Sequence, residues 1–182
     1  MLGLLSLRSW TTYELAKQVQ RSLGWFWPRA ERKLYDEPKR LVAAGLATSK
    51  SEMTGARPRT VYAVTRQGRK ALARWLDEPP APPTLEFEGM VKVFFADGGT
   101  LEQLRATLVA IADTADARLA DLEGKDAEHH EPNVPFPERL HLNALCLKFH
   151  LDHERMVGDW ARWALDQVGE WRSTTDPGSS DR

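Results

Sequence analysis

Apolar residues recur along this chain at two spacings, and each change of spacing marks a new element. Leu2, Leu4, Leu5 and Leu7 predict a short apolar helix at the start. Thr11 and Glu14 then stand three apart, the spacing at which each side chain caps the other's free backbone N–H. Leu15, Val19 and Leu23 follow at helical spacing, and Gly24 supplies a left-handed stop. A third helix is expected from about Pro28, tolerated in a first turn, to Gly45. Past Gly45 the period falls to two. Leu46–Met53 and Thr60–Thr65 read as strands, the second alternating through Val61, Tyr62, Ala63 and Val64. The loop between them is turn-rich and carries Arg57 and Arg59. Thr65 is a natural N-cap for a helix reaching about Asp77, with Ala71, Leu72, Trp75 and Leu76 inward.

Helical spacing then breaks at Glu78-Pro-Pro-Ala-Pro-Pro83, a stiff spacer that cannot continue a helix. Beyond it, Glu86–Ala96 is a short apolar segment, and Thr100 and Gln103 repeat the capping spacing. Leu101, Leu104, Leu108, Ile111, Ala115 and Leu122 hold a three-and-four repeat with one polar slot, Arg118. After a polar break at 124–137, a last helix is expected from Pro137 to about Glu170. It carries Leu140, Ala144, Leu147 and Leu151 on one stripe, and Met156, Trp160 and Trp163 further on. From Ser173 onward no large apolar residue remains, which predicts a frayed tail. The expected divisions are 1–78, a linker at 79–84, a helical part at 85–172 and the tail at 173–182. Two long amphipathic helices carry more apolar surface than they can cover on each other. A partner helix from a second copy is the expected cover, with Leu104, Leu108, Ile111, Leu147 and Leu151 assigned to that shared core.

Charge adds a second division. The net charge of −1 is the sum of a basic half and an acidic half. Residues 1–80 hold fifteen Lys and Arg against seven Asp and Glu, while residues 81–182 hold ten against nineteen. The first half therefore suits a polyanion. A single cysteine, Cys146, excludes an internal disulfide framework and a multi-cysteine zinc site. The longest uncharged apolar stretch, Met1–Leu7, falls far short of the roughly 20 residues a membrane span needs. It also lacks a signal peptide's basic start and cleavage site, so a cytoplasmic location and no membrane partner are expected.

The third predicted helix is where the basic residues gather. At about 100° per residue, Arg29, Arg32, Lys33, Asp36, Lys39 and Arg40 share one face, with Leu34, Leu41 and Val42 opposite. Tyr35 lies beside them. Such a face suits phosphates and base edges, arginine pairing bidentately with guanine and lysine neutralising the backbone. Asp36 either accepts from a base or pairs with Lys39 or Arg40. A solvated face laced with ion pairs is the simpler explanation for a basic helix in isolation. Here the order is helix, helix, helix, hairpin, with Arg57 and Arg59 at the hairpin tip. That is the winged helix-turn-helix plan for double-stranded DNA.

The motifs Leu2-Gly-Leu-Leu, Tyr13-Glu-Leu, Phe26-Trp-Pro, Leu34-Tyr35, Arg40-Leu, Gly45-Leu and Val61-Tyr62-Ala-Val-Thr65-Arg-Gln-Gly68 resemble the PadR family of transcriptional regulators. They span about residues 1–77; the rest is similar in architecture alone. The resemblance implies a mainly α protein with an N-terminal winged helix-turn-helix, a small β-hairpin wing and a C-terminal helical dimerisation domain. It implies a homodimeric repressor, with the third helix reading DNA and Arg57 and Arg59 tipping the wing. The sequence departs from the family at Arg32-Lys33, where a small residue and Thr are usual, and at Pro38, where Leu is usual. A proline inside the third helix would kink it, at about 3 kcal/mol or more.

Other candidates give way to simpler explanations. Cys146, His150 and His153, with His141 nearby, lack a further metal ligand at a suitable spacing, so no metal or cofactor is expected. His150 and His153 sit beside Asp152 and Glu154 and read as surface pairs. Trp160 and Trp163 suit packing, and alternatively an aromatic-lined pocket for a small flat effector. Trp25, Phe26 and Trp27 read as a clasp for the third helix. No nucleophile, phosphate loop or metalloprotease motif points to an enzyme. The expected function is a dimeric, sequence-specific DNA-binding regulator that represses until a small aromatic effector releases it. The alternative is a winged helix that docks on protein and not on DNA.

Overall fold

A computed structural model describes residues 1–23, 34–54, 57–128 and 134–178 of the chain. They form two units, Met1–Pro83 and Thr84–Arg182.

In the first unit, α1 (Leu2–Leu7) buries Leu4 and Leu5. Its carbonyl at Leu4 accepts the Trp10 indole N–H at 2.6 Å, which satisfies the polar edge of a buried ring. The two-residue strand β1 (Trp10–Thr11) follows, a piece too short for periodicity to reveal. Thr11 then caps α2 (Thr12–Gln18): its hydroxyl accepts from the Glu14 N–H at 3.2 Å, and the Glu14 carboxylate accepts from the Thr11 N–H at 2.7 Å. The reciprocal box satisfies two backbone donors that a helix start leaves open. Val19–Leu23 continue as one π-helical turn. Leu15 and Val19 are fully buried.

Strands β2 (Ala47–Thr54) and β3 (Arg57–Val64) form the hairpin, and β1 joins the far edge of β3 in the order β1-β3-β2, all antiparallel. Helix α3 (Glu37–Ala43) precedes the hairpin and α4 (Arg66–Asp77) follows it. Gly45, the expected stop, ends α3 with a left-handed φ of +70°. Its N–H bonds to the Val42 carbonyl, and the Leu46 N–H reaches back to Leu41, both at 2.9 Å, so two orphan carbonyls are closed.

In the second unit, α5 (Glu88–Phe94) leads through a 3₁₀ turn at Ala96–Gly98 to α6 (Leu101–Glu128). Thr100 and Gln103 cap α6 reciprocally, at 2.8 and 3.2 Å. A second 3₁₀ turn, Pro137–Arg139, opens α7 (Leu140–Gly169). α6 and α7 pack along their length around Leu104, Leu108, Ile111, Ala112, Ala161, Ala164 and Val168. The alanines let the two backbones approach closely.

Residues 173–178, expected to fray, carry local bonds. Ser173 and Asp176 form an antiparallel bridge, and the Thr174 hydroxyl donates to the Gly99 carbonyl at 3.3 Å. Polar side chains thus tie down a segment that has no apolar anchor. Among the described residues, no helix is long and apolar enough to cross a membrane.

Candidate nucleic-acid interface

The basic helix was expected from Pro28, and its residues 28–33 lie outside the described residues. Leu34–Asp36 form a turn, and α3 starts at Glu37 with Pro38 in its first turn. Among the described residues Pro38 therefore opens a helix and does not interrupt one. A first-turn proline gives up only an N–H that had no partner, and its fixed φ suits the helix start. Pro38, Leu34 and Leu41 are buried and form the inner side. Tyr35, Asp36, Lys39 and Arg40 are exposed on the outer side. Arg29, Arg32, Lys33 and the aromatic run Trp25–Trp27 lie outside the described residues.

Position on the outer side is held firmly. The Thr65 hydroxyl donates to the Gly45 carbonyl at 2.8 Å and accepts from the Gly68 N–H at 3.0 Å. One side chain thereby fastens the end of α3 to the start of α4. Gly68 fits there because a Cβ would come within 2.0 Å of the Leu46 carbonyl oxygen.

The charges are loosely held, as a phosphate interface requires. The Arg40 guanidinium meets Glu37 at 3.2 Å, and neither Lys39 nor Asp36 has an ion pair among the described residues. On the hairpin, Arg59 meets Glu52 directly across the register at 3.3 Å. Both pairs are solvent-facing and worth at most about 1 kcal/mol, so a phosphate can compete for either cation. Arg57 opens β3 beside the hairpin tip. Sequence reasoning missed Lys50, exposed on β2 on the same face as Glu52 and without an ion pair among the described residues. Its signal was the alternation itself, which turns every second residue of β2 outward. Arg8, by contrast, is engaged: it lies 3.7 Å over the Trp10 ring and pairs with Glu14 at 3.0 Å. The Glu14 carboxyl is held below its ordinary range, chiefly by the Thr11 backbone N–H.

The second unit corrects two expectations. Leu104, Leu108, Ile111 and Leu147 are buried within the chain itself, and Leu151 is half-buried. Leu104, Leu108 and Ile111 are already covered in the α6–α7 core, so these three are not free for a second copy. Instead, Leu142, Phe149, Met156 and Trp163 stand exposed at seven-residue intervals along α7, with Leu145 beside them. His150 and Glu154 are not surface pairs: both are buried. Arg118, the one polar slot of α6, donates to Glu154 at 3.3 Å, and the His153 ring lies 3.6 Å from the same carboxylate. Burial lowers the His150 imidazole below its ordinary value, while Glu154 pulls the other way and His153 and Lys125 add to the lowering. Trp160 is half-buried against the α6–α7 core, whereas Trp163 is exposed. Among the described residues, no His, Cys, Asp and Glu cluster could hold a metal.

Comparison with known proteins accounts for both units. Residues 1–74 match the model of the transcriptional regulator PadR-like family, and residues 88–168 match the virulence activator alpha C-terminal model. The negative transcriptional regulator PadR of Bacillus subtilis is 27% identical over 126 residues, 68% of this chain and 69% of that protein. The crystal structure of Bacillus subtilis PadR with operator DNA superposes with a TM-score of 0.77 at 24% identity, covering 92% of this chain and 95% of that one. The same protein with p-coumaric acid gives 0.74 at 25% identity, covering 93% and 96%. Residues 1–74 thus form a domain of the PadR-like family of transcriptional regulators, and the chain shares the fold of Bacillus subtilis PadR.

Proposed function

We propose that the chain is a homodimeric, sequence-specific DNA-binding regulator that represses transcription until a small aromatic effector releases it. The observation that carries the reading is the build of α3. Its inner side is buried and pinned through Thr65 and Gly45, and its outer side presents Lys39 and Arg40 beside a hairpin wing. In this reading residues 1–78 form the DNA-binding module. Arg29, Arg32, Lys33, Tyr35, Asp36, Lys39 and Arg40 face the major groove, and Arg57, Arg59 and Lys50 face the backbone. That Bacillus subtilis PadR was crystallised with operator DNA supports it. The effector half is supported by the p-coumaric acid complex of the same relative. Trp160 and Trp163 of this chain are the residues assigned to such a ligand.

The helical residues 85–172 serve as the dimerisation module. Leu142, Phe149, Met156 and Trp163 form the face for a second copy, because a strict seven-residue stripe suits a supercoiled partner helix. Sequence-specific binding then follows from two winged modules meeting two half-sites. No catalytic step or cofactor is assigned. The protein-docking alternative draws on Asp36-Glu37-Pro38 within the reading helix; Pro38 in the first turn of α3, where proline is favourable, supports the DNA reading over it.

Mobility shift on the DNA upstream of the chain's own gene tests the reading. A specific shift at moderate salt, weakened by a hydroxycinnamic acid, is expected. Absence of any shift that outlasts competitor DNA would favour the protein-docking module.

A further inference from the structure

Ion pairs hold cations in both units, Arg8, Arg40 and Arg59 among them in the first. In the second, Lys92, Arg118, Lys125, Lys148, Arg155 and Arg162 all sit in ion pairs. On α4 of the first, Arg66, Lys70 and Arg74 are exposed and have no ion pair among the described residues. Successive members are four residues apart, so they share the outer face of one helix at about 6 Å per step. Arg69 flanks them and donates to the Ser6 carbonyl at 3.2 Å. Asp77 shares the arc at the helix end but makes no ion pair with Lys70 or Arg74.

Helix stability does not explain this stripe. The first turn of α4 holds no acidic residue and starts with Arg66, at the end where the helix dipole favours negative charge. Arg66 with Lys70, and Lys70 with Arg74, are like-charge neighbours four apart, which destabilise a helix. Arg74, in the last turn, suits the dipole, but a row that opens on Arg66 against it and repels itself along its length is suited to an external polyanion. It is also not the wing. β3 runs from Arg57 at the tip to Val64 just before α4, about 23 Å of extended chain.

We propose that the outer face of α4, through Arg66, Lys70 and Arg74, is a second binding surface for the phosphate backbone of duplex DNA, distinct from α3 and the wing. It rests on the DNA-binding reading above. The phosphates come either from the flank of the bound duplex, curved back toward α4, or from a second DNA segment.

The test compares the full-length wild type with Arg66→Gln/Lys70→Gln/Arg74→Gln. Affinity for a long random-sequence duplex is measured across salt, and co-capture is measured with two short duplexes, one biotinylated and one fluorescent. The variant should lose about 0.9 of log–log salt slope per contact, up to about 2.7 in all. Its thermal midpoint should not fall, since repulsion is relieved. The charge-conserving Arg66→Lys/Lys70→Arg/Arg74→Lys should keep the wild-type slope. A reduced slope with unchanged co-capture assigns the flank of the same duplex; reduced co-capture assigns a second segment. An unchanged slope with unchanged co-capture overturns the proposal. So does a variant that keeps its DNA slope but loses retention on poly-glutamate, which would assign the face to an acidic protein. A wild type without salt-dependent DNA binding overturns the DNA-binding reading itself.

Discussion

Single residues hold the first unit in register, and Gly68 does so by lacking a side chain. Its Cβ would overlap the Leu46 carbonyl oxygen and the Val64 side chain, at 2.0 and 2.8 Å. Gly68→Ala should therefore push α4 off the hairpin and cost about 1–3 kcal/mol, read as a lower midpoint in urea. A change below about 0.5 kcal/mol would mean that α4 can shift freely. In the second unit the sensitive residue is His150. Its folded-state pKa lies below the ordinary imidazole value near 6.5 because burial disfavours the charged ring. Between those two values the unfolded chain binds more protons, so stability rises with pH there and is lost as pH falls from about 6.5. The thermal midpoint of the wild type should drop across that window, and the drop should be smaller in His150→Gln. Equal drops would place the titration elsewhere. The sequence read His150 and Glu154 as surface residues because each stands next to a charged neighbour. Their burial depends on the facing of α7 against Arg118 of α6, which adjacency in the chain does not reveal.

At the scale of elements, caps made the pattern legible. Thr11, Gly45, Thr65 and Thr100 end or start helices where the sequence expected, because each satisfies backbone groups locally. Thr11→Ala should cost about 1 kcal/mol, with α2 fraying first in hydrogen exchange. Unchanged protection of the first turn of α2 would show that tertiary packing alone holds it. Pro38 misled because a proline looks interior only if the helix is assumed to start at Pro28. A later start makes the same residue favourable. β1 escaped notice because two residues carry no periodicity and pair only through β3, far along the chain.

At the scale of the molecule, the need for a partner helix was legible but its face was not. Period alone marks two apolar stripes on α7 without saying which one α6 covers. The structure buries Ala161, Ala164 and Val168 against α6 and leaves Leu142, Phe149, Met156 and Trp163 outside. Sedimentation should give about twice 20.6 kDa at micromolar concentration. Phe149→Glu/Met156→Glu should yield monomers that keep their helicity, whereas a dimer that tolerates both charges would move the interface elsewhere.

Recognition of DNA through α3 and the basic residues that precede it in the chain is the central claim, and the salt dependence of binding tests it most directly. Operator affinity is measured over a range of salt for the wild type and for Arg32→Ala/Lys33→Ala/Arg40→Ala, with folding checked by circular dichroism. Each phosphate contact removed should flatten the log–log slope by about one unit, and each base contact should cost about 1–3 kcal/mol on the operator while sparing random DNA. A folded variant with the wild-type affinity and the wild-type slope would contradict the account.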